Sequence, residues 1–227
     1  MSLLDNAVWH ALRTRHARFA DVAGRARRYA YEVSFASAVD QFDDESWRDV
    51  AALVGPGGTA VFFRDRVPPP PPGWTQVMEG VGHQMVLDQL VPADVPPARL
   101  LSVADVPQML ELVALTRPGP FLPRTIELGD YYGVFADDRL VAMAGERLQL
   151  PGFTEISAVC THPDARGRGY ASGLTTRVAT GILDRGEQPF LHHAAENDDA
   201  RRVYERLGFS LRRPVTMTVL QPPDSAR

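Results

Sequence analysis

The sequence predicts an α/β protein with a mixed, mainly antiparallel sheet flanked by helices. Three apolar segments between residues 131 and 162 are joined by short turns, at Asp137-Asp138 and at Pro151-Gly152. Tight turns between consecutive extended segments are typical of an antiparallel meander. A helical segment, a strand, a second helical segment and a last strand follow, so strands and helices alternate toward the C-terminal end.

The elements before residue 90 follow from the spacing of apolar residues. In chain order they are a helix over 3–20, a strand over 31–36, a helix over 46–54, a strand over 59–63 and one or two strands over 73–87. The unbroken proline run 68–72 is interpreted as a stiff surface connector of polyproline type.

A proline-rich stretch without apolar periodicity, residues 91–99, predicts a linker. It divides the chain into an N-terminal α/β domain over 1–98, a second domain over 99–220 and a disordered tail over 221–227. In the second domain the same criteria predict a helix after Asp105, strands over 131–137, 139–150 and 154–162, a helix over 169–184, a strand over 189–194, a helix over 198–207 and a last strand over 214–220.

Composition limits the classes of function. The formal net charge of −4 gives no overall basic field, so neither nucleic acid nor an anionic membrane surface is an expected partner. The single cysteine, Cys160, cannot form an intrachain disulfide, and no apolar run is long enough to span a bilayer or to serve as a secretion signal. The expected location is the cytoplasm.

The turn Arg166-Gly167-Arg168-Gly169-Tyr170-Ala171 is the main chemical signal. A glycine-rich turn at the start of a helix offers unpaired backbone N–H groups to a phosphate, and the two arginines add positive charge. The chain has no lysine, which excludes a P-loop. The antiparallel strands before the turn argue against a dinucleotide-binding fingerprint.

This turn resembles the Gln/Arg-x-x-Gly-x-Gly/Ala motif of GCN5-related N-acetyltransferases, the GNAT family. The apolar strand 156–161 and Pro163-Asp164 before the turn agree with the family pattern. Downstream, Asn197 to Ala200 and Tyr204 to Phe209 resemble its N-x-x-A-x-x-x-Y-x-x-x-G-F segment. The resemblance covers about residues 100–220.

The resemblance implies a GNAT-like sheet and direct transfer of an acetyl group from acetyl-CoA, as co-substrate, to an acceptor amine. It implies that backbone groups of Val159, Cys160 and Thr161 hold pantetheine and that the turn from Arg166 to Ala171 holds the pyrophosphate. Asn197 would bond the cofactor arm. Tyr204 would protonate the leaving thiolate, for which a phenol is a suitable donor when its surroundings assist.

The base that accepts the amine proton is Glu155 in this interpretation, with Glu146 as the alternative. Glu155 precedes Val159 by about 13 Å on a straight strand, so it would act through water unless a bulge shortens the distance. Adjacent strand residues face opposite sides, so at most one of His192 and His193 can face the substrate. No metal is expected, and Cys160 is not expected to act as a nucleophile.

The sequence therefore predicts an N-acetyltransferase that works in a ternary complex. The alternatives are a non-catalytic acyl-CoA sensor and an interaction module, and a homodimer is left open. The N-terminal half is interpreted as a degenerate copy of the GNAT-like fold or as a lid over the acceptor site. The identity of the acceptor amine is left open.

Overall fold

The computed structural model describes residues 2–223. The chain forms five α-helices and eleven strands within these residues. The helices are α1 (Ala7–Arg13), α2 (Asp44–Val54), α3 (Val106–Thr116), α4 (Tyr170–Asp184) and α5 (Asp198–Arg206). The strands are β1 (Ala20–Ala23), β2 (Ala26–Tyr29), β3 (Ser37–Ala38), β4 (Ala60–Arg64), β5 (Thr75–Leu87), β6 (Arg99–Leu100), β7 (Tyr131–Ala136), β8 (Arg139–Leu150), β9 (Phe153–Thr161), β10 (Gln188–Ala194) and β11 (Phe209–Gln221).

The main sheet has eight strands in the order β4-β11-β5-β10-β9-β8-β7-β6. Adjacent strands in this sheet run antiparallel, except β9 and β10, which are parallel. The β7–β8 hairpin turns at Asp137 and Asp138, and both have positive φ angles, as a type I′ turn requires. This confirms the predicted fold class, a mixed and mainly antiparallel sheet with flanking helices.

Two apolar layers cover the main sheet. On one face α4 and α5 pack over a cluster that includes Ile156, Leu174, Val178 and Leu191. On the other face α1 packs over Leu148, Leu150 and Phe190, and α3 packs over Met143 and Cys160. Burying these side chains between helices and sheet supplies the main favourable term in folding. We call the two sides the α4 face and the α1 face.

The N-terminal half does not form a large sheet of its own. β1, β2 and β3 make a small separate sheet, whereas β4 and β5 join the main sheet beside β11 and β10. The segment predicted as a linker packs on α4, because a side chain at Gly173 would meet the carbonyl oxygen of Asp94 at 2.3 Å. The division near residue 98, and the idea of a degenerate copy, stay predictions.

Local predictions in the N-terminal half need correction. No strand forms over 31–36: the chain turns there, with Val33 N donating to Ala30 O, although Val33 and Ala36 are buried. The first helix ends at Arg13 rather than near residue 20, because the chain turns so that His16 packs against Phe19 and Tyr29. At the other terminus Gln221 belongs to β11, and residues 224–227 of the predicted tail lie outside the described residues.

The shared sheet leads to a stability prediction. Leu12→Ala, in α1, removes a fully buried side chain that packs on the main sheet, and should lower the free energy of unfolding by about 2–5 kcal/mol. If the two halves fold together, urea unfolding followed by circular dichroism and by tryptophan fluorescence should show one shifted transition. The exposed Val22→Ala should change it by less than about 0.5 kcal/mol. Two separate transitions, with only one affected by Leu12→Ala, would support independent domains.

Candidate active site

The two parallel strands of the sheet diverge at its centre. β9 and β10 pair only from Phe153 opposite Gln188 to Ile156 opposite Leu191. Beyond these pairs β9 continues beside β8 to Thr161, and β10 continues beside β5 to Ala194. The result is a wedge-shaped opening between β9 and β10 in the middle of the sheet. We call it the β9–β10 opening.

A bulge in β9 lies at this opening. Cys160 pairs with Met143 and Ser157 pairs with Gly145, so two residues of β9 lie opposite one residue of β8. Within this bulge Ala158 has a φ of +53°, a left-handed conformation that is uncommon for a residue other than glycine. Bulges bend a strand and redirect its side chains, and strained backbone of this kind concentrates at functional sites.

The predicted pantetheine segment lies along the opening. Val159 packs with the apolar cluster on the α4 face. Cys160 is only 6% exposed and packs under α3, where burial raises the pKa of its thiol to about 11. Such a thiol carries almost no thiolate at neutral pH and is a poor nucleophile. The hydroxyl of Thr161 is buried and has no hydrogen-bond partner within residues 2–223.

The predicted phosphate turn lies where β9 leads into α4. Arg166, Gly167, Arg168 and Gly169 are exposed, and both glycines have positive φ angles, +76° and +75°. No heavy atom lies within 4 Å of the side chain that either glycine would carry if it were alanine. Tyr170 and Ala171 form the first turn of α4, where helix N–H groups have no partner in the helix. The turn therefore has the room, charge and donors that a phosphate needs.

Tyr204 lies on α5, on the α4 face of the sheet. It is 7% exposed and its ring lies 6.0 Å from that of His193. Burial raises the pKa of its phenol, and the neighbouring Cys160 raises it further. At neutral pH the phenol therefore keeps its proton. Its ring belongs to the apolar cluster against which Val159 of β9 packs, on the α4 face of the sheet.

Asn197 is the N-cap of α5. Its side-chain oxygen accepts a hydrogen bond from the backbone N–H of Ala200 at 3.0 Å, which is the usual capping contact. The residue is exposed, so its amide nitrogen remains available to a ligand. Its predicted role toward the cofactor stays a prediction.

Glu155 is fully buried beside two partners. Arg147 donates to both carboxylate oxygens at 2.8 and 2.6 Å, and Nδ1 of His192 lies 2.7 Å from Oε1. Burial alone would raise the pKa of Glu155, but the charge and hydrogen bonds of Arg147, together with His192, outweigh it and lower the pKa to about 2. A carboxylate with both oxygens occupied and no exposed surface is poorly placed to accept a proton directly.

The alternative base, Glu146, lies elsewhere. Its carboxylate bonds Arg185, just after the end of α4, at 2.7 Å, and burial raises its pKa despite that cation. The phosphate turn is at the opposite end of α4, which is about 22 Å long at 1.5 Å per residue. Of the two carboxylates, only Glu155 lies on a strand that borders the opening.

Sequence reasoning did not identify Arg147 or Gln84, which bond Glu155 and His192 respectively. Neither belongs to a motif, and each reaches its partner from a different strand. A β8 bulge near Arg147 changes which face its side chain takes, so alternation along the strand could not have indicated it. The one signal that could have indicated the Arg147–Glu155 pair is a cation and a carboxylate on neighbouring strands. It can be used only when the register of those strands is known.

Comparison with known proteins identifies the relatives of this chain. The family model described as FR47-like protein matches residues 131–218. A crystal structure from Novosphingobium aromaticivorans, described as an acetyltransferase of the GNAT family, is 36% identical and covers 98% of this chain and 99% of that one, with a TM-score of 0.89. The similarity therefore includes the N-terminal half.

Two further relatives are more distant. A GCN5-related N-acetyltransferase from Kribbella flavida shares the fold, with 18% identity and a TM-score of 0.64 over 98% of this chain and 96% of that one. A mycothiol acetyltransferase from Corynebacterium aurimucosum is 39% identical over 62 residues. That match spans 27% of this chain and only 20% of the relative.

The buried Glu155 pair leads to a pH prediction. Because the folded-state pKa lies below the ordinary value of 4.5, ionised Glu155 stabilises the protein above pH 4.5, and this contribution is lost as the pH falls toward about 2. At pH 7 Glu155→Gln should reduce the free energy of unfolding by about 3–5 kcal/mol, since it leaves Arg147 without its partner. Urea unfolding should show this deficit shrinking below pH 4.5.

The matched control is Glu127→Gln, which breaks the ion pair that partly exposed Glu127 forms with Arg124. Exposed pairs contribute about 0–1 kcal/mol, so this variant should stay close to the wild type at neutral pH. Equal effects of the two substitutions at pH 7 would contradict the assigned role of the Arg147–Glu155 pair.

Proposed function

This chain belongs to the GCN5-related N-acetyltransferase (GNAT) family, and we propose that it transfers an acetyl group from acetyl-CoA directly to an amine within a ternary complex. The observation that carries the proposal is the β9–β10 opening, which connects the phosphate turn of α4 with both faces of the sheet. An acyl thioester held there would be accessible to a proton donor from one face and to an amine from the other.

The turn from Arg166 to Ala171 fits a pyrophosphate. Gly167 and Gly169 leave open space at the start of α4, and two exposed arginines flank them. Backbone N–H groups and the positive end of the helix dipole attract a phosphate at such a position. We assign the turn to the pyrophosphate of acetyl-CoA, with Asn197 available to its arm.

The edge of β9 fits an extended pantetheine chain. Beyond Ile156 the pairing of β9 with β10 stops. On that side of β9, Val159 to Thr161 therefore border the opening instead of β10. A linear amide-containing chain can bond to such an edge as an added strand would. We assign Val159, Cys160 and Thr161 to this contact, through the backbone rather than through the buried thiol.

Tyr204 is the proposed general acid. Its phenol is protonated at neutral pH, and its ring lies on the α4 face in the cluster that Val159 of β9 packs against. When the amine nitrogen bonds to the carbonyl carbon and the carbon–sulfur bond breaks, the leaving thiolate needs a proton. The phenol is the donor assigned to that step.

The direct test of this function is turnover. Purified protein is incubated with acetyl-CoA and a panel of primary amines, and mass spectrometry searches for products 42 Da heavier while free CoA thiol is measured in parallel. Acetylated amine with a matching release of CoA supports the proposal. Acetyl-CoA binding without acetylation of any amine would support the acyl-CoA sensor instead.

The first prediction here concerns the phosphate turn. Gly169→Glu should weaken acetyl-CoA binding, measured by calorimetry, at least about 10-fold, because a carboxylate would repel the pyrophosphate and fill the space it needs. The matched control is Gly152→Glu, since Gly152 also has a positive φ (+79°) and open surroundings but lies in the β8–β9 turn. Equal affinities of the two variants would contradict the phosphate assignment.

The second prediction concerns Tyr204. Tyr204→Phe should lower kcat by about 10- to 1000-fold with little change in acetyl-CoA affinity, as expected when a proton donor is lost but the ring packing is kept. Tyr31→Phe, at an exposed tyrosine, provides the control. Turnover of Tyr204→Phe within about twofold of the wild type would make Tyr204 a packing residue only.

A further inference from the structure

A cavity on the α1 face reaches the β9–β10 opening through His192, the first residue of β10 after its last pair with β9. Its walls come from α1 and the residues just before it, from the segment 33–36, from the loop around Pro120 and Leu122, from the C-terminal end of β4 and from the middle of β11. Most of the wall surface is apolar, and the charged side chains that line it are Asp5, Arg64, Asp65 and Arg213. Its floor is polar and consists of Arg147, His192 and Gln84, which project from three strands of the main sheet.

The floor is one continuous hydrogen-bonded chain. Arg147 holds Glu155, and Glu155 lies 2.7 Å from Nδ1 of His192. On the other side of the ring, Nε2 of His192 lies 3.0 Å from Nε2 of Gln84. Arg212 then donates to Oε1 of Gln84 at 2.7 Å and also bonds Asp5. Two guanidinium groups at the ends thus fix the orientation of everything between them.

These contacts indicate which ring nitrogen of His192 carries the proton. Glu155 is ionised and can only accept, so Nδ1 of His192 carries a proton and donates it. Because Arg212 donates to the oxygen of Gln84, the amide nitrogen of Gln84 must face His192, and this nitrogen is a donor. Nε2 of His192 therefore carries a lone pair and already accepts a hydrogen bond from nitrogen.

Two other candidates for a base are less well placed. Glu155 is fully buried, whereas the side chain of His192 is 16% exposed and lines the cavity. His193 points to the opposite face, where it packs near Tyr204, and its Nδ1 bonds the backbone oxygen of Ala194. Of these three residues only His192 has an acceptor atom at the cavity floor.

We propose that this cavity is the acceptor site, that it takes a primary amine carried on an apolar group, and that His192 accepts the proton of that amine. The proposal rests on the acetyltransferase function proposed above. Glu155 and Arg147 are positioning residues, which act through His192. The amine would take the place of the Gln84 nitrogen at Nε2, while Gln84 keeps its second hydrogen bond, to the carbonyl oxygen of Leu4 at 3.2 Å.

The nitrogen lone pair of the neutral amine forms a bond to the thioester carbonyl carbon, and one N–H proton passes to Nε2 of His192. The carbon–sulfur bond breaks, the sulfur leaves with the electron pair, and it takes the phenolic proton of Tyr204. Solvent then returns the proton of His192 to the phenolate. The products are an N-acetyl amide and CoA thiol.

The arrangement separates the two proton transfers by the thickness of the sheet. Tyr204 approaches the opening from the α4 face, and His192 lies on the α1 face. An acid and a base on the same side would exchange their proton with each other. The charged groups around His192 are Glu155, Arg147, Arg212, Asp5 and, through Asp5, Arg213. Arg64 and Asp65 line the same cavity.

The test combines spectroscopy and kinetics. Long-range nitrogen-15 NMR of histidine-labelled protein, assigned with His192→Asn, should find His192 in the Nδ1–H form, and Glu155→Gln should remove that preference. His192→Asn keeps a donor toward Glu155 and should fold. With acetyl-CoA and benzylamine, it should lower kcat/KM about 100-fold near neutral pH, and the deficit should shrink at high pH, where hydroxide can take the amine proton in place of His192.

His10→Asn is the control, because His10 lies on α1 but does not line the cavity, and it should follow the wild type at every pH. An Nε2–H form of His192, or a pH profile of His192→Asn that matches the wild type, would overturn the proposal. Transfer to polar amines but not to benzylamine would overturn the acceptor class. Failure of the proposed function is distinct, because then the wild type itself acetylates no amine in the panel.

Discussion

Strand β5 lies between β10 and β11 and pairs with both, and much of the molecule depends on this placement. It brings the N-terminal half into the main sheet, so that α1 covers the face on which the acceptor cavity lies. It also pairs with β10 beyond Leu191, where the pairing of β10 with β9 has ended, and there His192 meets Gln84. Each strand that borders the opening therefore has a partner on its other side: β9 pairs with β8, and β10 pairs with β5.

Burying the Arg147–Glu155 pair costs free energy of desolvation. Removing two charges from water costs several kcal/mol per ion, and the attraction between them repays this only with good geometry. Here the geometry is bidentate, which is the favourable arrangement for arginine and a carboxylate. An apolar pair of similar volume can stabilise a core equally well. The effect of the two charges on His192 is therefore the better explanation for their presence.

The sequence predicted the C-terminal half closely because its signals are local. Alternating apolar residues and tight turns gave the boundaries of β7, β8 and β9 to within one residue, and the glycine turn indicated where α4 begins. The N-terminal half has weaker signals. β1 and β2 are only four residues long each. The alternation over 31–36 is misleading, because Tyr31 is exposed, whereas Val33 and Ala36, three positions apart, are buried in a turn.

The site divides in the same way. The turn 166–171 and Tyr204 belong to motifs that are contiguous or nearly so, and sequence alone could propose them. The surroundings of Glu155 could not be predicted, because they depend on two bulges and on the register of four strands. A single bulge reverses the facing of the residues beyond it. The acceptor cavity was beyond sequence reasoning for the same reason.

The position of β5 has a consequence for how the chain is made. Both neighbours of β5 in the sheet, β10 and β11, are synthesised after it. At ordinary rates of translation the interval between Leu87 and Gln221 is on the order of ten seconds. Throughout this interval at least one backbone edge of β5 is without its partner, so the nascent chain offers a strand to any other extended segment nearby. The folded enzyme keeps part of this hazard, since Val77, Met78 and Val81 of β5 remain exposed.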